Sequence, residues 1–138
     1  MISTSRLRLE TRGRCDIIDL TPRVSQEVSD SGLTMGTATL FVVGSTAGIT
    51  TIEYEPGLLQ DLSEAWERLA PEALAYQPNR AWGDDNGHAH VRASMLGPSL
   101  TIPFTDKALA LGTWQQIVLV DFDVRPRSRE IVVQLAGE

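Results

Sequence analysis

The sequence predicts an α+β fold, a β-sandwich of largely antiparallel strands carrying two helices. Three observations lead there. Short β-patterned runs follow one another through the C-terminal third, separated only by turn residues. Helix signals are confined to two segments, one after Thr21 and one after Pro56. With 138 residues, 42% of them hydrophobic and 22% charged, the chain suits one sizeable core, so residues 1–138 are read as a single domain.

Residues 5–12 alternate, Leu7, Leu9 and Thr11 on one side and Arg6, Arg8, Glu10 and Arg12 on the other, the pattern of a strand with one wet face. Gly13 ends it, and Cys15 to Leu20 forms a short apolar run. Thr21-Pro22 reads as an N-cap followed by proline at the first helical position, opening a helix to about Ser31 that Gly32 closes. Its apolar stripe, Val24 and Val28, is thin, which places it on the surface. Residues 35–43 and 49–55 are β-forming runs interrupted by Gly44-Ser45-Thr46-Ala47-Gly48. Pro56-Gly57 opens the stronger helix, where Leu58, Leu59, Leu62, Ala65, Trp66 and Leu69 make a core-facing stripe that Pro71 stops. Residues 72–87, with Pro78, Asn79, Gly83, Asp84, Asp85 and Asn86, read as a long loop, a kind of segment that often carries function. Strands are expected over about 88–95, 99–104, 108–111, 113–124 and 130–135, with turns at Gly97-Pro98 and Arg125-Pro126.

A formal charge of −6 and a pI near 4.9 repel phosphate backbones, so no nucleic-acid partner is expected. Arg125, Arg127 and Arg129 form a small basic patch, read as a solvated turn between two strands. No run approaches the ~20 apolar residues of a membrane span, and the N-terminal residues lack the apolar stretch of a secretory signal. The single cysteine, Cys15, permits no intramolecular disulfide and reads as a small buried hydrophobe. A cytoplasmic protein without a membrane partner is the expectation.

The sharpest chemical feature is Asp84-Asp85-Asn86-Gly87-His88-Ala89-His90, which holds the only two histidines. On a strand His88 and His90 point to one face, where two neutral imidazoles and a carboxylate, Asp85 or Glu53, suit a divalent metal such as zinc or magnesium. Alternatively one histidine acts as general acid or base while Asp85 fixes its tautomer. The hydroxyls and open backbone of Ser45 and Thr46 suit a phosphate or carboxylate, or form a plain turn. Glu53 either faces water on a sheet edge or lines a cavity, where burial makes it a useful base. Trp114 and Gln115 line a flat ligand site, or the indole packs into the core.

The run His90-Val91-Arg92-Ala93-Ser94-Met95-Leu96-Gly97-Pro98-Ser99-Leu100-Thr101-Ile102-Pro103, followed by Leu111-Gly112-Thr113-Trp114-Gln115, closely resembles the YjbQ family, also labelled secondary thiamine-phosphate synthase. Ser45 to Thr50 and Glu53 fit the same pattern. The resemblance implies a compact α+β sandwich, a homotrimer with polar pockets near subunit interfaces, and a weak ability to form thiamine phosphate from a hydroxymethylpyrimidine pyrophosphate and a thiazole phosphate. Carried over by position, the polar residues that match the family's pattern are Thr46, Glu53, Asp85, His90, Ser94, Trp114 and Gln115, whereas His88 falls at a position that varies among members. With the residue chemistry above, His90, Asp85 and Glu53 are the candidates for catalysis, Ser45, Thr46, Ser94, Trp114 and Gln115 for holding a small phosphorylated substrate, and His88 with His90 for a metal. Many members carry a histidine immediately before the Ser-Thr-Ala stretch. Gly44 stands there in this chain, so a metal or catalytic role of that histidine is lost or falls to His88.

Overall fold

The computed structural model describes residues 1–138, the side chains of Arg80 and Ala81 excepted. In chain order it contains β1 (Ile2–Thr11), β2 (Asp16–Asp19), α1 (Thr21–Asp30), β3 (Gly36–Val42), β4 (Ala47–Ile52), α2 (Pro56–Leu69), α3 (Gln77–Trp82), α4 (Gly87–Leu96), β5 (Ser99–Thr105), β6 (Ala108–Leu109), β7 (Gln116–Asp121) and β8 (Arg127–Gly137). All strand pairs are antiparallel, in a five-stranded sheet ordered β1-β8-β3-β5-β6 and a three-stranded sheet ordered β2-β7-β4. The α+β sandwich expected from the sequence is the fold of the chain.

Period-two alternation decides what lies between the sheets. Leu7 of β1, Leu40 and Val42 of β3, Phe104 of β5 and Ile131, Val133 and Leu135 of β8 meet Ile49 of β4 and Ile117 and Leu119 of β7 in the main core. The opposite face of the small sheet is covered as well: Val118, Val120 and Phe122 pack with Trp66 of α2 and Ala89 and Ala93 of α4. Trp66 meets Phe122 edge to face, with ring centroids 4.9 Å apart. Being buried on both sides, β7 reads as an unbroken apolar run, Ile117-Val118-Leu119-Val120.

Four helices are present where two were expected. α1 is a surface helix, as its thin stripe predicts, with Pro22, Arg23, Gln26, Ser29 and Asp30 exposed, yet its two valines, Val24 and Val28, are fully enclosed in the main core. α2 starts where Pro56 predicts, the Glu55 carboxylate accepting from the Leu58 N–H at 2.8 Å, and ends before Pro71. The expected loop of residues 72–87 contains α3, which has proline in its first turn and closes on Gly83 in the left-handed conformation (φ 65°). Residues 88–95, expected as a strand, form most of α4. Ala89, Val91, Ala93 and Met95 mimic a two-residue period, but the buried positions are His88, Ala89, Arg92 and Ala93, a helical stripe. Among the described residues no helix is long and apolar enough to cross a membrane.

Candidate functional site

At one end of the sandwich the inward-facing stripes turn from apolar to charged. On β8 the series Leu135, Val133, Ile131 continues as Arg129 and Arg127; on β7, Ile117 and Leu119 are followed by Asp121 and Asp123. On β1 the stripe through Leu7 ends in the buried Thr11. The same alternation that builds the core therefore drives two arginines and two aspartates into a shared space.

There they neutralise one another. Arg129 grips Asp121 bidentately, Nε to Oδ2 at 2.7 Å and Nη2 to Oδ1 at 2.9 Å, with 7% and 0% of the two side chains exposed. The hydroxyl of Thr11 donates to Asp121 at 2.6 Å, and Arg129 Nη2 also donates to the Thr46 hydroxyl at 2.6 Å. Thr46 in turn donates to Asp123 at 3.0 Å, and Arg127 Nε donates to the same carboxylate at 2.9 Å. Burial alone raises the Asp123 carboxyl, but hydrogen bonds from the Arg125 backbone, Arg127 and Thr46 outweigh it and hold the group below the usual carboxylate range.

Over this floor lies a cleft of about 390 Å³, walled by Gly44, Ser45 and Thr46, by Asp84 and Asn86, by His90 of α4, and by Asp123 and residues 127–129. Gly44 is small for a reason, since a Cβ there would stand 2.6 Å from Arg129 Nη1. Asn86 pins the front of α4 to the sheet end, its side-chain oxygen accepting from the Val124 N–H at 3.0 Å. At the far side of the same helix Arg92 donates to the Ala70 carbonyl at 3.0 Å and to Glu67 at 2.7 Å, tying α4 to the end of α2. These two attachments fix the rotation of the helix and aim His90 into the cleft.

The structure places His90, Ser45 and Thr46 on one cleft and separates the other candidates from them. His88 and His90 do not share a face, because two steps along a helix turn a side chain through about 200°. His88 is buried, 2% exposed, and its Nδ1 has no hydrogen-bond partner among the described residues. Asp85 is exposed in a left-handed conformation (φ 58°), and Asp84 lines the cleft in its place. Glu53 is exposed just beyond the end of β4, roughly 20 Å along the strand from Thr46. Trp114, 74% exposed, is neither core nor cleft, and Gln115 bridges the Gly112 N–H and the Thr51 hydroxyl near Glu53. Ser94 donates back to the His90 carbonyl and lines a smaller neighbouring hollow.

Within the basic patch Arg125 is exposed at the turn as expected, but Arg129 is buried and the half-exposed Arg127 lines the cleft, so these two are not merely solvated. What marks them in the sequence is spacing, Arg127-x-Arg129 and Asp121-x-Asp123, each continuing an apolar alternation in register. Cys15 matches its expectation. It is partly buried against the second core cluster, accepts from the Ser63 hydroxyl, and burial raises its thiol above the ordinary value.

His88 supplies a pH prediction. Burial lowers its pKa from the ordinary 6.5, and the nearby Arg92 cation lowers it further. A histidine with a depressed folded pKa contributes full stability above its unfolded pKa and loses it as pH falls toward the folded value. The protein is therefore expected to lose thermal stability as pH drops below about 6.5, and His88→Gln should flatten that slope. A melting-temperature series from pH 8 to pH 5 checks it; identical slopes for the two proteins would refute the assignment.

An α+β sandwich whose sheet ends converge on a charged cleft beside a helix-borne histidine defines the class. The chain belongs to the family described as UPF0047 protein YjbQ-like, whose profile matches residues 5–138. It is 38% identical over 129 residues to a UPF0047 protein of Archaeoglobus fulgidus, spanning 93% of this chain and 97% of that one. A UPF0047 protein of Methanothermobacter thermautotrophicus is 36% identical over 137 residues, 99% of this chain and 94% of the relative. In three dimensions the chain superposes with a TM-score of 0.94 on a YbjQ-like protein of unknown function from Sulfolobus solfataricus, 32% identical, covering 100% of this chain and 99% of that one.

Proposed function

We propose that the cleft binds a small phosphorylated substrate and that His90 serves as its acid–base group. The observation that carries this reading is the set of unspent donors. Arg129 Nη1 and the two terminal nitrogens of Arg127 make no hydrogen bond to the described residues, and the Ser45 and Ser128 hydroxyls and His90 stand in the same wall. Asp123 and Asp121, by contrast, are already spent as acceptors. A ligand that accepts several hydrogen bonds at once, as phosphate does, suits such a wall.

The reaction we favour is the thiamine-phosphate-synthase-like transfer that the family resemblance implies. The thiazole nitrogen forms a bond to the pyrimidine methylene carbon, the carbon–oxygen bond to pyrophosphate breaks, and pyrophosphate leaves with the electron pair, taking a proton from His90. A resident zinc or magnesium fits the residues poorly, since the two histidines diverge, Asp123 is engaged, and of the remaining cleft donors Asp84 already accepts from the Asn86 N–H at 3.2 Å, which leaves His90. A non-catalytic binding protein is the second reading, favoured by the same engagement of both buried carboxylates, which leaves no nucleophile there beyond hydroxyls.

Calorimetry with inorganic pyrophosphate tests the binding claim. Arg127→Ala removes charge-assisted hydrogen bonds worth roughly 1.5–3 kcal/mol, so affinity should fall at least about tenfold. Arg127 is half exposed but pairs with the buried Asp123, so its loss should also cost some stability, and the titration is run at a temperature where circular dichroism shows both proteins folded. No measurable binding by the parent protein sinks the reading. His90→Ala should keep binding and lose turnover of the two thiamine precursors; turnover retained removes His90 from the chemistry. For assembly we propose the homotrimer implied by the resemblance, in which the exposed Trp114 and Glu53 are free to face a neighbouring subunit; light scattering that gives the mass of one 15.1 kDa chain would overturn it.

A further inference from the structure

Beside the charged cleft lies a second, smaller hollow of about 140 Å³, lined by Gly44, Ser45, Ala47, Ala93, Ser94 and Pro98. The two share the Gly44–Ser45 corner. They differ in chemistry: the larger is walled by charged and hydroxyl groups, whereas the smaller is mostly methyl and pyrrolidine surface with serines at its edge. Neither is accidental in its construction. Gly44 carries no Cβ where one would stand 2.6 Å from Arg129 Nη1, so the corner stays open and the free end of the guanidinium reaches it. Ala93 is held by the core under α4, and Ser94 lies one residue further round the same helix, whose His90 lines the larger cleft.

Resting on the phosphate reading above, we propose that the two hollows form one bipartite site whose ligand is a phosphomonoester of a small, flat or aliphatic organic group. The phosphate takes the donors of Arg127, Arg129 and Ser45, and the ester-linked carbon group turns over the Gly44 corner onto Ala47, Ala93 and Pro98. The volume sets the size of that group. At about 140 Å³ the hollow is close to the apolar volume that accepts benzene, so a single six-membered ring matches it, while a larger group projects through its open side into solvent. Free inorganic phosphate occupies only half of such a site.

Calorimetric titration of the full chain with inorganic phosphate and with phenyl phosphate tests the proposal. Burying the equivalent of about two methylene groups makes phenyl phosphate about tenfold tighter. Ser94→Phe, at an exposed position on the hollow's edge, should abolish that advantage. Equal affinity of the two compounds for the parent overturns the bipartite site while leaving the phosphate cleft standing; no binding of either overturns the cleft itself. A phenyl advantage that survives Ser94→Phe also overturns the proposal, since the ring then lies elsewhere. Should Ser94→Phe fail to fold, methyl, propyl and phenyl phosphate titrated into the parent decide it, affinity rising with the size of the group in support and staying flat against.

Discussion

Replacing Asp121 with alanine is expected to lower the unfolding free energy by about 3–5 kcal/mol, because it leaves the Arg129 guanidinium buried without its bidentate partner. The carboxylate is fully enclosed and also receives the Thr11 hydroxyl, so three elements, β1, β7 and β8, lose a common acceptor at once. Asp123 does not replace it, its nearer oxygen lying 4.0 Å from Arg129 Nη2 and already accepting from Arg127 and Thr46. The pair itself need not be stabilising relative to apolar residues of like size, since desolvating two ions roughly offsets their attraction. Asp121→Leu combined with Arg129→Met should therefore recover most of the loss while abolishing pyrophosphate binding. Urea unfolding of the parent, the single variant and the double variant gives the comparison. A single-variant loss under about 1 kcal/mol would mean that water reaches Arg129, and the picture of a dry charged floor beneath the cleft would fail.

The sandwich was legible because strands with one buried face announce it by alternation: Leu7-Leu9-Thr11 and Ile131-Val133-Leu135 appear in the structure as written in the sequence. Legibility ended where two periods coincide. Ala89, Val91, Ala93 and Met95 alternate with polar residues, yet small alanines four apart also make a flat helical face, and the tertiary fit of Ala89 and Ala93 against the small sheet decides for the helix. That one element reversed the geometry of the site. On a strand His88 and His90 would converge; on α4 one is a buried core residue and the other faces the cleft. The arginine–aspartate floor was hidden for a different reason. Residues adjacent to a turn normally meet water, and only the distant pairing of β8 with β1, together with the cover of the small sheet, encloses Arg129. Val24 and Val28 make the thin stripe of a surface helix, and they are buried because the sandwich leaves an opening that α1 closes.

If α4 owes the placement of His90 to its seat on β4, then Gly48→Val should damage stability and ligand binding together. Gly48 faces the end of α4, where a Cβ would stand 2.8 Å from the Gly97 carbonyl oxygen and 2.8 Å from a Leu96 methyl. Leu96 can rotate away, but Gly97 is held there by the Ile49 N–H, which donates to that carbonyl at 3.0 Å. Backbone cannot yield without moving the helix. Overpacking at such a contact costs typically about 1–3 kcal/mol, and valine, adding two methyl groups beyond Cβ, belongs at or above the top of that range. The lifted helix carries His90 and Ser94 away from the Gly44–Ser45 corner, so pyrophosphate affinity should fall at least about tenfold in the fraction that remains folded. Gly48→Ala provides the graded control, with both effects reduced. Urea unfolding and calorimetry, run at a temperature where circular dichroism shows each variant folded, separate loss of fold from loss of site. A valine variant as stable as the parent and equally able to bind pyrophosphate would show that α4 is positioned by its Asn86 and Arg92 attachments alone.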